Sequence, residues 1–276
     1  MPERPSSDFH RAIFLRVIVA AVPLLAAASV CYPAQPAAAA TAGFNAYIAA
    51  VESRLVRQHE SPADFLAPTS NESLNRGEIV HGEIVIDRLT PSAAPDLPGA
   101  MLHHWRGTAF VAGAHAADLE TLLNNFAAYP RYFSPQVLEA RVLSRQGDHQ
   151  IVSMRVSQRH VITVVMDTTY DVVFGRLDPR HGSSISRSTQ ITEISSPGTP
   201  SEHALAPADE HGFLWRQNTY WSYQEQDGGL YIQIESVSLT RSIPAGLGWA
   251  IGPFVQSVPR DSLEFTLRSV CNALRR

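Results

Sequence analysis

The chain has 276 residues, of which 45% are hydrophobic and 17% charged, and its formal net charge is -4. The high apolar content excludes intrinsic disorder, which requires few hydrophobic residues and a high net charge. Nucleic-acid binding is disfavoured as well, because it needs a clustered basic surface and the 26 acidic side chains outnumber the 22 basic ones.

Residues 1–40 have the three parts of a secretory signal peptide. Two arginines supply positive charge, an apolar run covers residues 17–30, and a tract of small residues covers 37–42. The apolar run is short for a membrane span, which needs about 20 residues. We therefore predict cleavage after Ala40 and a mature protein in the periplasm or outside the cell. An uncleaved N-terminal anchor, or lipidation of Cys31, stays open at this point.

An N-terminal extension and linker is predicted over residues 43–99. Residues 43–59 are predicted to form an amphipathic helix, because apolar side chains recur on one face with the helical period. A strand is predicted within residues 77–89. Three prolines among residues 90–99 then indicate a linker. The main domain is therefore predicted to cover residues 100–276.

The main domain is predicted to contain one strand, two short helices, six further strands and one long helix. The opening strand is predicted at 104–112, and the two helices at 116–127 and 130–134. The six strands are predicted at 137–145, 149–160, 161–178, 183–194, 212–226 and 229–241. Short turns between consecutive strands favour an antiparallel sheet, since parallel strands need long crossovers.

The last helix is predicted to begin at Ser257, with Pro259 in its first turn. Its apolar stripe consists of Leu263, Leu267, Val270, Cys271 and Leu274. These elements predict an α+β fold in which a curved antiparallel sheet wraps around the long C-terminal helix. If the signal is removed, Cys271 is the one cysteine left, which excludes an internal disulfide.

This pattern resembles the START-like superfamily, also called SRPBCC or helix-grip proteins, over residues 100–276. The resemblance rests on the segments HHWRGTAFV, ADLETLLNNFAAYPRYF, VITVVMDTTYDVVF, FLWRQNTYWSYQEQDGGLYIQIESVSLTR and PRDSLEFTLRSVCNALRR. A helix pair followed by Tyr-Pro is typical of the polyketide-cyclase and coenzyme-Q-binding-like branches. The resemblance implies a deep cavity between the sheet and the C-terminal helix that holds a lipid, a polyketide or another apolar molecule.

Side chains alternate between the two faces of a strand, and this alternation predicts which of them would line such a cavity. Met154, Met166 and Tyr170 fall in apolar sets, and methionine suits an adaptable apolar pocket. Each of these side chains could equally be an ordinary core residue. The full predicted ligand-binding set is Met154, Met166, Tyr170, Arg187, Arg216, Asn218, Tyr220, Glu235, Trp249 and Phe254.

The orientation of strand 212–226 is left open by the sequence. Arg216, Asn218 and Tyr220 share one face of it and, together with Glu235, would give the cavity a polar end if they point inward. Alternatively they form a solvated outer face and the aromatic set points inward. That aromatic set is Phe213, Trp215, Trp221 and Tyr223.

No metal, cofactor or catalytic constellation is expected. His103 and His104 are adjacent, so their side chains would point to opposite faces of a strand. The chain has no HExxH pair and no cysteine pair with metal-ligand spacing. It also lacks the GxSxG motif of a nucleophile elbow and the lysine-bearing motif of a phosphate loop.

Three functions remain. The first is an exported carrier of a hydrophobic small molecule or lipid. The second is a cyclase or hydratase with Tyr220, Glu235, Arg187 and His104 as acid–base candidates. The third is a cell-envelope interaction module that uses residues 43–89 and the loop 195–211. We favour the carrier, and we expect no nucleic acid as a partner. The identity of the ligand, the oligomeric state and a peripheral association with a membrane are left open by the sequence.

Overall fold

The computed structural model describes residues 35–68, 83–91, 97–159, 163–243 and 248–275, with side chains in the last helix from residue 257 onward. These residues belong to a compact unit that spans Ala34–Arg276. Residues 1–34 of the predicted signal peptide lie outside them. In the part of the chain that is described, no helix is long and apolar enough to span a membrane.

Nine strands of the described chain form a single antiparallel sheet. They are β1 (Val85–Arg88), β2 (Ala100–Ala112), β3 (Val137–Gln146), β4 (His149–Arg159), β5 (Thr163–Asp178), β6 (His181–Ser195), β7 (His203–Ala204), β8 (Arg216–Gln226) and β9 (Gly229–Arg241). The strand order is β1-β2-β9-β8-β6-β5-β4-β3, and β7 pairs with β6. The seven strands predicted for the main domain are confirmed, and β7 is an addition inside the long loop.

The helices occupy opposite faces of this sheet. They are α1 (Ala38–Gln58), α2 (Ala116–Asn124), α3 (Tyr129–Tyr132) and α4 (Gly248–Leu274). Helices α2 and α3 follow the first strand of the main domain, and a short 3₁₀ turn at Phe126–Ala128 separates them. The predicted α+β architecture of a curved sheet around a long C-terminal helix is therefore confirmed.

Helix α4 packs its apolar stripe on what we call the inner face of the sheet. Leu263 and Leu267 are buried there against Ile232 and Ile234 of β9. The backbones of the helix and of β2 come close at Gly107, where an added Cβ would lie 2.4 Å from the Cδ1 atom of Leu267. Since such a distance is far below van der Waals contact, the absence of a side chain at residue 107 lets the sheet close on the helix.

Helix α4 begins nine residues before the predicted start at Ser257, because it includes Gly248 and continues without a break. Pro259 therefore lies inside the helix, where its missing N–H removes one backbone hydrogen bond. A serine followed closely by a proline is a common helix start, and here that pattern was misleading.

Helix α1 covers the opposite, outer face of the sheet. Its buried side chains are Ala40, Phe44, Ile48, Val51 and Leu55, spaced by three or four residues as the predicted amphipathic helix requires. They pack against Leu102, Tyr220, Val237 and Leu239 of β2, β8 and β9. The extension is thus packed on the main sheet, and its apolar face is already occupied. The predicted cleavage point after Ala40 lies within the first turn of this helix.

Candidate functional site

The strand register identifies the side chains of the inner face. Trp221 of β8 and Ile234 of β9 are cross-strand partners, and both belong to the apolar cluster that surrounds α4. Because side chains alternate between the faces of a strand, every second residue from these two points in the same direction. The inner face therefore includes Thr219 of β8 and Ser236 of β9.

Two neighbouring rows of polar side chains cross β6, β8 and β9 on this inner face. The first row is Ser186, Thr219 and Ser236, which are paired directly by the register. The second row is Ser188, Gln217 and Ser238; Gln217 pairs with Ser238 and donates its backbone N–H to the Ser188 Oγ atom at 2.9 Å. We call these six residues the polar patch. All of them except Ser238 are partly exposed.

An apolar wall lies next to the polar patch on β4 and β5. Met154, Val156, Tyr170 and Val172 lie on the inner face of these strands, and Val172 is the register partner of Ser186. Tyr170 and Val172 are buried, whereas Met154 and Val156 are partly exposed. This combination of apolar side chains and a few convergent polar groups is typical of small-molecule sites.

The aromatic and histidine side chains beside the polar patch are uncharged. Tyr170 donates its hydroxyl to the Gln217 Oε1 atom at 3.1 Å, and burial raises the pKa of Tyr170 to about 12. The Nε2 atom of His103 lies 3.1 Å from the Thr240 Oγ1 atom. Burial, together with the nearby Arg88 cation, lowers the pKa of His103 from 6.5 to about 4. At neutral pH both side chains are therefore electrically neutral.

The outer face carries a buried ionic network instead. The Glu235 carboxylate is 3.0 Å from the Nε2 atom of His104 and accepts a hydrogen bond from Arg54 of α1. The hydroxyl of Tyr47, also on α1, lies 2.8 Å from the Nδ1 atom of His104. Arg106 Nη1 is 3.9 Å from the second carboxylate oxygen, for which the described residues offer no hydrogen bond. This network joins α1 to β2 and β9.

A second polar connection links α1 to β6 and β8. Arg187 binds the Glu52 carboxylate with two hydrogen bonds of 2.7 and 3.0 Å. The Tyr220 hydroxyl donates to the same carboxylate at 3.1 Å and accepts a hydrogen bond from Asn218. Burial raises the pKa of Tyr220, so its hydroxyl keeps its proton at neutral pH.

The structure therefore separates the predicted site residues into two groups. Met154, Met166 and Tyr170 lie on the inner face, as the alternation indicated. Arg187, Arg216, Asn218, Tyr220 and Glu235 lie on the outer face, toward α1. They do not give the inner space a polar end, and with α1 over them they are not a solvated face either. The side chains of Trp249 and Phe254 are outside the described residues.

The predicted aromatic set divides at the start of β8. Trp221 and Tyr223 point inward and pack in the cluster around α4. Trp215 precedes the strand and packs with the α1 cluster, and Phe213 is exposed. The prediction that all four share one face was wrong, because β8 begins at Arg216 rather than at residue 212 and alternation does not extend into the preceding loop.

The acid–base candidates of the enzyme hypothesis all lie on the outer face. The side chains of Glu235 and His104 are only 3% and 4% exposed, and α1 lies over them. A hydrogen-bonded chain runs from Tyr47 through His104 to Glu235, but the His104 ring and the Glu235 carboxylate at its end are almost completely buried. Among the described residues, no group of three or more histidine, cysteine, aspartate or glutamate side chains could hold a metal ion.

The polar patch was missed by the sequence reasoning, although one signal for it exists. Ser184, Ser186 and Ser188 alternate with Ile185 and Arg187 along β6. Three serines at a period of two form one polar stripe on a strand. Without knowledge of which face is inward, this stripe is indistinguishable from a solvated one.

No family model matches the chain, and no curated protein matches it. Similar solved structures include a STAR-related lipid transfer protein from Xanthomonas axonopodis, with 18% identity, a TM-score of 0.42, and coverage of 66% of this chain and 97% of that one. The Zhui aromatase/cyclase from a Streptomyces species has 16% identity and a TM-score of 0.40, with 63% and 92% covered. Human STARD10 has 11% identity and a TM-score of 0.41, with 74% and 80% covered. Identities this low transfer neither a ligand nor a reaction to this chain.

Proposed function

We propose that this protein binds an apolar small molecule or lipid between the inner face of its sheet and helix α4, and carries it outside the cytoplasm. One observation supports the binding site most directly. The inner face is sealed where α4 packs, since Ile232 and Ile234 are buried, but Met154 and Val156 on the same face are partly exposed. Apolar side chains that remain accessible inside a curved sheet favour an apolar ligand.

The contacts on the outer face disfavour that face as an alternative binding site for the ligand. There α1 buries its own apolar stripe, and the ionic network of Glu235 fills the polar part of the interface. The inner face, by contrast, combines accessible methionine with the polar patch. Methionine adapts its shape to irregular ligands, which suits a carrier better than a rigid core residue would.

A charge placed on the apolar wall should abolish ligand binding. Met154→Glu puts a carboxylate where the hydrocarbon part of the ligand would lie, and burying an unpaired charge is strongly unfavourable. We expect the affinity for a neutral apolar dye such as Nile red to fall about ten-fold or more, which corresponds to at least 1.4 kcal/mol. Fluorescence titration of the purified protein measures this change.

Ser153→Glu is the matched control, because the neighbouring residue carries the same charge to the outer face of β4. It should leave dye binding unchanged. Equal affinities for the Met154→Glu variant and the wild type would contradict the proposed site. A protein that binds no dye and releases no apolar molecule on solvent extraction would contradict the carrier function itself.

The export part of the proposal rests on the N-terminal sequence. Expression of the full chain in a bacterium should deliver it to the periplasm, with Thr41 as the first residue of the mature form. Cell fractionation followed by mass spectrometry of the intact protein distinguishes the outcomes. A protein that keeps residues 1–40 and stays with the cytoplasmic fraction would argue against export.

A further inference from the structure

The three hydroxyl groups in the first row of the polar patch have no partner within the described part of the chain. Among the residues that the structure describes, the side chains of Ser186, Thr219 and Ser236 make no hydrogen bond, although they are cross-strand neighbours in one row. All three are partly exposed on the inner face. Buried polar groups normally have partners within the protein, so an unpartnered and partly exposed row of three is available to water or to polar groups of a ligand.

Among the described residues, the three strands that carry this row, β6, β8 and β9, place no cation on the inner face. Arg187, Arg216 and Glu235 alternate with the polar patch and therefore point to the outer face. The charged residues of these strands that share the inner face, Glu193 and Glu225, are both anions. Beside the patch, His103 and Tyr170 are neutral at pH 7. These side chains offer hydroxyl and amide groups. A cation of the inner face, Arg88 of β1, lies two strands from Ser236, where its guanidinium carbon is 5.9 Å from the centre of the Trp105 ring.

The segment that precedes and begins α4 adds no charge. Its sequence from 242 to 258 contains no acidic, basic or histidine residue. Farther along α4, Arg260 pairs with Asp261 and Glu264, and Arg268 also pairs with Glu264. Those cations are therefore already engaged on the surface of the helix.

We propose that the ligand is an uncharged amphiphile whose hydroxyl or carbonyl oxygens bind the row Ser186–Thr219–Ser236 while its hydrocarbon part lies along the wall of Met154 and Val156. This inference rests on the proposed function and specifies the class of molecule. A carboxylate or phosphate placed against the row would lose its hydration without gaining a cation from β6, β8 or β9, which is unfavourable. A neutral hydroxyl or carbonyl instead exchanges water for protein hydroxyls at little cost.

Three ligands with the same C18 chain test the inference. Monoolein is neutral and bears hydroxyls, oleate is anionic, and octadecene has no oxygen. Displacement of bound Nile red from the full-length mature protein measures each affinity at pH 7.5. Two or three new hydrogen bonds should make monoolein bind about ten-fold or more tightly than either of the others.

The triple variant Ser186→Ala, Thr219→Val and Ser236→Ala should remove this preference and bring monoolein within about three-fold of octadecene, since no hydroxyl of the row remains. Its melting temperature should stay the same or rise, because these hydroxyls have no partner within the described chain. The matched control is Ser144→Ala, Ser153→Ala and Thr169→Val, which removes the same groups from the outer face. That control should keep the preference for monoolein.

The outcomes separate this inference from the function on which it rests. Oleate binding as tightly as monoolein, or a triple variant that keeps the preference, would overturn the neutral-ligand assignment while dye binding still supports a carrier. Failure of Nile red and of all three C18 compounds to bind the wild-type protein would overturn the proposed function.

Discussion

Replacing Glu235 with glutamine is expected to lower the free energy of unfolding by about 3 kcal/mol, the lower end of the range for breaking a buried ion pair. The carboxylate is the common partner of His104 and Arg54, and Arg106 lies 3.9 Å from it. Without the negative charge, Asp87 at 3.5 Å is the one charged partner that the described part of the chain offers to Arg106. The side chain of Arg54 is 37% exposed and can turn to water, which limits the loss.

Chemical denaturation of wild type and variant at pH 7.5 measures this difference. Glu264→Gln is the matched control, since it also breaks an ion pair with arginine, but at the surface of α4, where Arg268 is 64% exposed. Such pairs contribute at most about 1 kcal/mol. A Glu235→Gln variant as stable as the Glu264→Gln variant would show that the network does not hold α1 to the sheet.

The protein is expected to lose several kcal/mol of stability between pH 6.5 and pH 4. Burial and the Arg88 cation lower the pKa of His103 from 6.5 to about 4, and burial and Arg54 lower that of His59 similarly. In this window the unfolded chain binds protons that the folded chain excludes, so unfolding becomes easier as the pH falls. For His103 the shift corresponds to about 3 kcal/mol; His59 is partly exposed and adds less.

Glu235 acts in the same direction at the acid end of this window. Burial alone would raise its pKa, but the hydrogen bond from His104 and the charge of Arg54 outweigh burial and lower the pKa below 4.5. A carboxyl with a lowered pKa stabilises the folded state above its unfolded pKa, and this stabilisation is lost as the pH falls through its folded value. As the pH falls, protonation of Glu235 therefore adds to the loss of folding stability caused by His103 and His59.

Denaturation curves at pH 7.5, 6.5, 5.5 and 4.5 test the pH dependence. In the His103→Gln variant, the free energy of unfolding should fall less steeply with decreasing pH. The reason is that this variant lacks the imidazole that binds a proton in the unfolded chain but not in the folded one. His203→Gln is the control, since His203 is exposed in β7 and should leave the slope unchanged. A wild-type stability that is constant over this range would contradict the assignment of His103 as a buried neutral side chain.

Much of the fold followed from local patterns. Alternation and short turns predicted the long antiparallel strands, and periodicity predicted the apolar stripes of both α1 and α4. The errors occurred where local signals competed. Ser257 and Pro259 look like a helix start, yet α4 begins at Gly248. Trp215 was assigned to β8 by its spacing from Trp221, although the strand begins one residue later.

Within the regular parts of the strands, the sequence by itself determined which residues share a face, since alternation is a property of extended backbone. It could not determine which face is inward. In β8 and β9 both faces carry buried apolar side chains, because α4 packs on one and α1 on the other. A polar stripe such as Ser184–Ser186–Ser188 and a charged residue such as Glu235 were therefore ambiguous until two helices, distant in the chain, were placed on opposite sides of the same strands. Tertiary packing made that choice: it placed Glu235 under α1 and left the hydroxyls of Ser186, Thr219 and Ser236 partly exposed on the inner face.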